Sequence, residues 1–259
     1  MSNTVYVAWQ DSATRSWHTF ARLTHKNDDY EFAFTKGADK LNAVPRELFR
    51  MNLKDRYRSN DLISLFKNKL PPRSRSDFKK IATWLNLRGD EQDFDLLAKF
   101  GLIPGTDSLL VYPEPEVVAG RYTLEFFVHG IRHMHKEALY YCENANQGDN
   151  LLPLLDVKNE IDPNAVALRT TDGTFLVGYV PSFYSTDVRT LLAEPLLAKT
   201  ARVEVIRNNR DAPIQLRLLC RFTSDVPSGF RALNTVSHEM IADAGAETKK
   251  ALGETLNRH

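Results

Sequence analysis

An α+β fold in two domains is what the sequence predicts, and three observations predict it. Apolar and polar residues alternate in two separated blocks, 4–35 and 122–181, the period of half-buried strands. Between them, apolar residues recur at helical spacing: Leu62, Leu65 and Phe66, then Phe78, Ile81, Trp84 and Leu85, then Phe94, Leu96, Leu97 and Phe100. Pro113-Glu-Pro-Glu-Val117 then supplies a stiff, polar linker. The expected boundaries are a small β-plus-helix domain over 1–115, a barrel-like β domain over 120–222, and a tail over 223–259, helical from about Leu233. A chain of 259 residues is long enough to bury a core in each domain.

In chain order, Thr4–Trp9 is rich in β-branched and aromatic residues and reads as a strand. Trp17, Phe20 and Leu23 open a second, and Tyr30, Phe32 and Phe34 alternate in a third, with Asn27-Asp28-Asp29 turning between them. Gly37–Pro45 reads as a connection. Ser59 and Ser76-Asp77 are candidate caps of the first two helices, Pro71-Pro72 stops the first, and Gly89 and Gly101 end the second and third. Ser108–Tyr112 returns to strand. In the second block Leu124 and Phe126 alternate with Thr123 and Glu125, Asp172-Gly173 is a hairpin signal, and Phe175, Val177 and Tyr179 alternate after it. A helix follows Pro181, with Ser182 as candidate cap and Tyr184, Val188, Leu191 and Leu192 on one face. Thr200–Arg207 and Ile214–Phe222 form a hairpin, the second strand burying Ile214, Leu216, Leu218, Cys220 and Phe222.

The net charge of +1 hides an asymmetry. Between Arg46 and Arg88 stand twelve Lys or Arg against four acids, a local excess of +8 that leaves −7 for the rest. Such a split suits nucleic-acid contact through one region, with Arg73 and Arg75 as candidate phosphate contacts; equally, it can be the solvated face of helices. No apolar run approaches the roughly 18 residues of a spanning helix. The first residues lack the basic start and apolar core of a secretory signal, and two cysteines make no disulfide framework. A cytoplasmic protein without membrane contact is the expectation.

Two polar clusters stand at strand ends, where binding residues concentrate. Arg132 and His133 follow the strand closed by Gly130, and Asn159–Asn164 is a turn dense in side-chain acceptors and amides. An arginine at a strand exit can meet a phosphate or stack on a base; it can also pair within the turn. Asp162 and Asn164 can stabilise the turn by bonding to backbone amides. Lys158 is a further candidate phosphate contact.

Val128-His-Gly-Ile-Arg132, Asn159-x-x-Asp162-x-Asn-Ala-Val166 and Gly178-Tyr-Val-Pro181 occur in this order, and together they resemble a HIRAN domain over residues 120–222. The resemblance implies an OB-like β-barrel that grips the 3′-hydroxyl end of single-stranded DNA. The positions it assigns to the terminal nucleotide are Arg132, Asn159, Asp162 and Asn164, with Tyr179 nearby. His133 and Ile161 stand where well-known members sandwich a base between aromatics; a histidine still stacks, an isoleucine gives apolar contact. An Asp at such a site repels phosphate and favours a 3′-hydroxyl. Residues 134–150 read as an insertion before the next strand.

Leu65-Phe-x-Asn-x-Leu-Pro71, the run Arg73–Lys80, Leu85-Asn-Leu87, Phe94-Asp-Leu-Leu-Ala98 and Gly101 are similar to the N-terminal subdomain of HipA-type toxin kinases, over residues 1–115. That family uses the subdomain before a kinase body or as a separate antitoxin-like protein. This chain has no glycine-rich phosphate loop followed by Lys-Ser/Thr and no Asp-Phe-Gly, so kinase activity is not implied.

The expected function is therefore non-catalytic binding of DNA, a single strand or a 3′ end, through the second domain, in genome maintenance or defence and with no cofactor. The alternative is an antitoxin-like interaction module whose residues 1–115 hold a HipA-type kinase. A third reading, a metal-dependent nuclease, rests on Asp156-Val-Lys158 with Asp149 as the second carboxylate. His129, His133 and His135 lack a carboxylate or Cys at ligand spacing, and no metal site is expected. Cys142 and Cys220 read as core residues.

Overall fold

The computed structural model of the chain describes residues 3–12, 16–40, 51–103, 108–242 and 248–250. Parts of the expected turn at 11–16, of the connection at 37–45 and of the tail lie outside them, as do Arg46 and Arg50 of the basic run. The chain forms two compact units, one over 1–82, 87–114 and 234 onward, the other over 83–86 and 115–233.

In the first unit, strands β1 (Thr4–Gln10), β2 (Trp17–Lys26) and β3 (Asp29–Phe34) form an antiparallel meander. Asn27 and Asp28 both adopt positive φ (52° and 64°), the twist a two-residue hairpin needs. Strand β4 (Arg56–Ser59) pairs with β3. Helices α1 (Ser64–Lys67), α2 (Phe78–Trp84) and α3 (Asp93–Phe100) follow, then β5 (Leu109–Pro113) against β1. Ser59 ends β4 rather than capping a helix; its hydroxyl accepts from the Asp61 N–H at 3.1 Å. Asp93 and Asp95 suit the positive end of α3, whose Phe94 and Leu97 join Val5, Phe20, Phe32, Phe34 and Phe66 in the core. A Cβ on Gly101 would lie 2.6 Å from Val111 Cβ, so only glycine lets the end of α3 meet β5.

The second unit holds β6 (Glu116–Val118), β7 (Arg121–Phe127), helix α4 (Lys136–Asn144), β8 (Asn150–Leu155), β9 (Val166–Thr170), β10 (Leu176–Tyr179), helices α5 (Ser182–Ala193) and α6 (Pro195–Ala198), β11 (Arg202–Asn208) and β12 (Leu218–Asp225). They form one sheet in the order β10-β9-β8-β11-β12-β7-β6. The expected OB-like barrel is not closed. Among the described residues, the stretch after β7 meets β10 through one antiparallel bridge, His129 to Tyr179, not through a ladder. The physical reason is local: Gly130 takes φ +77° and turns the chain out of the strand, so β7 cannot run on beside β10. Leu124, Phe126, Cys220 and Phe222 bury one face, while Glu125 and Arg221 pair at 2.7 Å on the other. Ile214–Leu216 is a 3-10 turn, so β12 starts later than its alternation suggests. The insertion supplies α4, whose Ala138 and Cys142 are buried. Pro181, not Ser182, stands at the N-cap of α5.

The expected helix from about Leu233 is corrected among the described residues. Asp187 accepts from the Tyr122 hydroxyl at 3.3 Å and from the Leu233 N–H at 2.8 Å, fixing the point where the chain leaves the second unit. Beyond it, Val236–His238 is a 3-10 turn of the first unit and Thr248–Lys250 is a strand, β13, parallel to β4. His238 is buried there: Tyr112 OH lies 2.9 Å from its Nε2, and Thr235 Oγ1 lies 2.6 Å from its Nδ1. These contacts, with the Ile241 N–H on the Phe34 carbonyl, favour a docked extended segment over a free helix.

Candidate nucleic-acid interface

The candidate site is assembled around Tyr179. His129 and Tyr179 exchange both backbone hydrogen bonds, each at 2.9 Å, which fixes the Gly130–His133 turn beside β10. The approach is close. A Cβ on Gly178 would sit 2.5 Å from the His129 carbonyl oxygen and from Val128 Cγ1, so this position requires glycine. The Tyr179 hydroxyl donates to Asp156 Oδ2 at 3.1 Å, which ties β10 to the start of the 156–164 loop.

That loop is held by its own side chains. Asn159 Nδ2 donates to Asp156 Oδ2 at 3.0 Å, and Asn159 Oδ1 accepts from the N–H groups of Ile161 (3.0 Å) and Asp162 (2.9 Å). Asp162 Oδ1 accepts from the Asn164 N–H at 2.8 Å, and Asn164 Nδ2 reaches Thr186 Oγ1 on α5 at 3.5 Å. These are Asx turns, a side chain standing in for the backbone of a turn. They hold Val157 and Ile161 in water, 73% and 94% exposed. Lys158 is also exposed and makes no bond among the described residues.

Arg132 and His133 lie on a 3-10 turn, Ile131–His133, anchored by buried Ile131. Both are exposed. Arg132 Nε donates to His133 Nε2 at 3.0 Å. The two terminal guanidinium nitrogens have no bond among the described residues. Arg132 is not paired with Asp162. Burial lowers the pKa of His129 to about 4, so it is a neutral packing group whose ring meets Phe183 edge-on at 6.0 Å. Burial, reinforced by the hydrogen bond to Asp156, raises the pKa of Tyr179 and keeps its hydroxyl a donor.

Of the expected contacts in the second block, Asn159 shares Asp156 Oδ2 with Tyr179, Asp162 and Asn164 bond within the same loop, Lys158 lies on that loop, and Arg132 and His133 lie on the turn that follows the His129–Tyr179 bridge. Arg73 and Arg75 belong to the other unit. Arg73 donates to the Glu91 carbonyl at 2.6 Å and Arg75 pairs with Asp77 at 2.6 Å. Asp149 and Asp156, the two carboxylates of the nuclease reading, flank β8 at its opposite ends. No group of three His, Cys, Asp or Glu able to hold a metal occurs among the described residues. Asp156, which the sequence offers only as a carboxylate of the nuclease reading, joins loop to strand. Its signal was its place three residues before Asn159, where it serves as acceptor for that side chain.

Residues 121–226 match the HIRAN domain model. The matched span lies within the second unit and covers less than half of the chain. It agrees with the resemblance expected for 120–222. Two solved structures are similar at low identity. One is a protein from Lactobacillus plantarum, 16% identical, covering 40% of this chain and 97% of that one, with a TM-score of 0.31. The other is the HIRAN domain of human HLTF, 15% identical, covering 45% of this chain and 98% of that one, with a TM-score of 0.32. No curated protein matches the chain. The comparisons do not show the HipA-like assignment of 1–115. No helix among the described residues is long and apolar enough to cross a membrane.

Proposed function

We propose that this protein is a non-catalytic DNA-binding protein whose HIRAN segment grips a single strand, or its 3′ end, at the Tyr179 cluster. HIRAN domains bind DNA, and the family match supports that role. The observation that carries the finer reading is the exposed Arg132 guanidinium, held by its Nε on His133 and keeping its terminal nitrogens for a phosphate. Asp162 keeps one carboxylate oxygen beyond its turn bond, an acceptor for a terminal hydroxyl. Base contact comes from His133 by stacking and from Ile161 by apolar contact. The first unit, read as a HipA-N-like module, serves as the part directed to DNA. Two buried, unpaired thiols support a cytoplasmic setting.

The test is fluorescence anisotropy with single-stranded DNA ending in 3′-hydroxyl or 3′-phosphate, a duplex and single-stranded RNA, across a salt series. Salt-sensitive binding that favours the 3′-hydroxyl and is lost in Arg132→Ala is expected. Equal affinity for both ends would remove the role given to Asp162. No binding to any probe would overturn the reading.

A further inference from the structure

A second surface adjoins the candidate site. Cross-strand partners in a sheet share a face. Leu152 pairs with Arg169 and Arg169 with Leu176; Leu154 pairs with Ala167 and Ala167 with Tyr179. These residues therefore form two rows on one face of β8-β9-β10, about 7 Å apart along the strands. Leu152, Leu154 and Leu176 are 37%, 38% and 38% exposed on that face. Single exposed leucines mean little, but three on neighbouring strands make a patch. Arg169 sits at its centre. Its guanidinium would lie 3.5 Å from a Cβ on Gly173, and its Nε is buried without a hydrogen-bond partner. Some arginines of this unit are engaged, Arg121 with Asp225, Arg221 with Glu125 and Arg202 with two carbonyls, whereas Arg189, like Arg169, has a buried guanidinium nitrogen without a partner. Arg169 has no carboxylate partner among the described residues.

We propose that this face is a track for the single strand as it leaves the end-gripping site, with Arg169 meeting a phosphate and Leu152, Leu154 and Leu176 meeting bases. The inference rests on the DNA-end reading and extends it. Two features favour a nucleic-acid strand over a protein segment. The face is continuous with the candidate site, since Tyr179 belongs to both. Its unpaired cation is set among apolar side chains, which matches a chain carrying an anion and an apolar ring in every unit. Asp156, at the site end of the face, has its Oδ2 engaged by Tyr179 and Asn159, which lessens its repulsion of the strand.

The experiment compares full-length protein on oligothymidines of about 4 and about 12 nucleotides with free 3′-hydroxyls, a range that spans the usual site sizes. The longer probe is expected to bind about tenfold more tightly. Arg169→Ala and Leu154→Asp should each erase that gain while the short probe keeps its affinity, with circular dichroism melting to show that both variants fold. Arg132→Ala should weaken both probes. Equal affinity at both lengths, or a length gain that survives both face variants, overturns the track and leaves the face to a protein partner. Failure of the short probe to bind sinks the end-gripping reading itself, and the track with it.

Discussion

The Asp156–Asn164 loop and the Gly130–His133 turn meet at Tyr179 but spend their polar groups in opposite ways. The loop turns its side chains inward: Asn159 uses both its amide nitrogen and its oxygen on the loop, and Asp162 bonds the Asn164 N–H. The turn leaves its cation outward, with Arg132 committed only through Nε. The loop is a frame held by its own side chains, with Val157, Lys158 and Ile161 exposed upon it, and the turn leaves the terminal nitrogens of a guanidinium unbonded among the described residues. A family motif that includes both does not separate these roles, because an asparagine that builds a turn and one that touches a ligand are the same letter.

The largest expected effect tests the contact side. Arg132→Ala should weaken single-stranded DNA by about a hundredfold, the scale of charge-assisted hydrogen bonds, without moving the melting temperature. A matching fall in Tm would show that Arg132 is part of the frame. Acid tests the junction. His129 has a folded pKa of about 4 against 6.5 when free, so the unfolded chain binds the extra proton between those values. His238 is depressed to about 4 in the first unit for the same reason, burial. Stability should be intact above pH 6.5 and fall as pH drops through 6.5 toward 4, by up to about 3 kcal/mol for each histidine. Denaturant titrations at stepped pH, with His129→Gln and His238→Gln, would assign the loss; a slope unchanged in both variants contradicts it.

Gly178→Ala comes next. The clash with the His129 carbonyl should cost about 1–3 kcal/mol by urea denaturation and weaken DNA binding, because it parts the two clusters. A neutral result would mean that the bridge is not needed to hold them. Tyr179→Phe should cost least, about 1 kcal/mol for one hydrogen bond, with Tm and affinity falling together. Binding lost with stability retained would instead make Tyr179 a direct contact.

Much of the fold was legible in the sequence because it is written in local periodicity. Leu124 and Phe126 mark β7, Phe94 and Leu97 mark α3, and Asn27-Asp28 marks a hairpin, each through contacts that strand pleat, helical turn or positive φ impose. Helix α4 was not legible. Its only fully buried side chains are Ala138 and Cys142, too few to print an apolar stripe. The tail misled for a related reason: His238, buried against Tyr112 and Tyr6, looks polar in sequence and behaves as core.

By itself the sequence determined most strands, though not β4, β6 or β13, most helices, the HIRAN motifs and the residues they offer, because periodicity and turn chemistry act over a few neighbours. Only the tertiary structure decided that the second sheet stays open, that the tail returns to the first unit, that Asp156 links the loop to Tyr179, and that Leu152, Arg169 and Leu176 share a face. Each of these depends on pairing between residues distant in the chain. Such pairing is settled by register and packing, which no local pattern encodes.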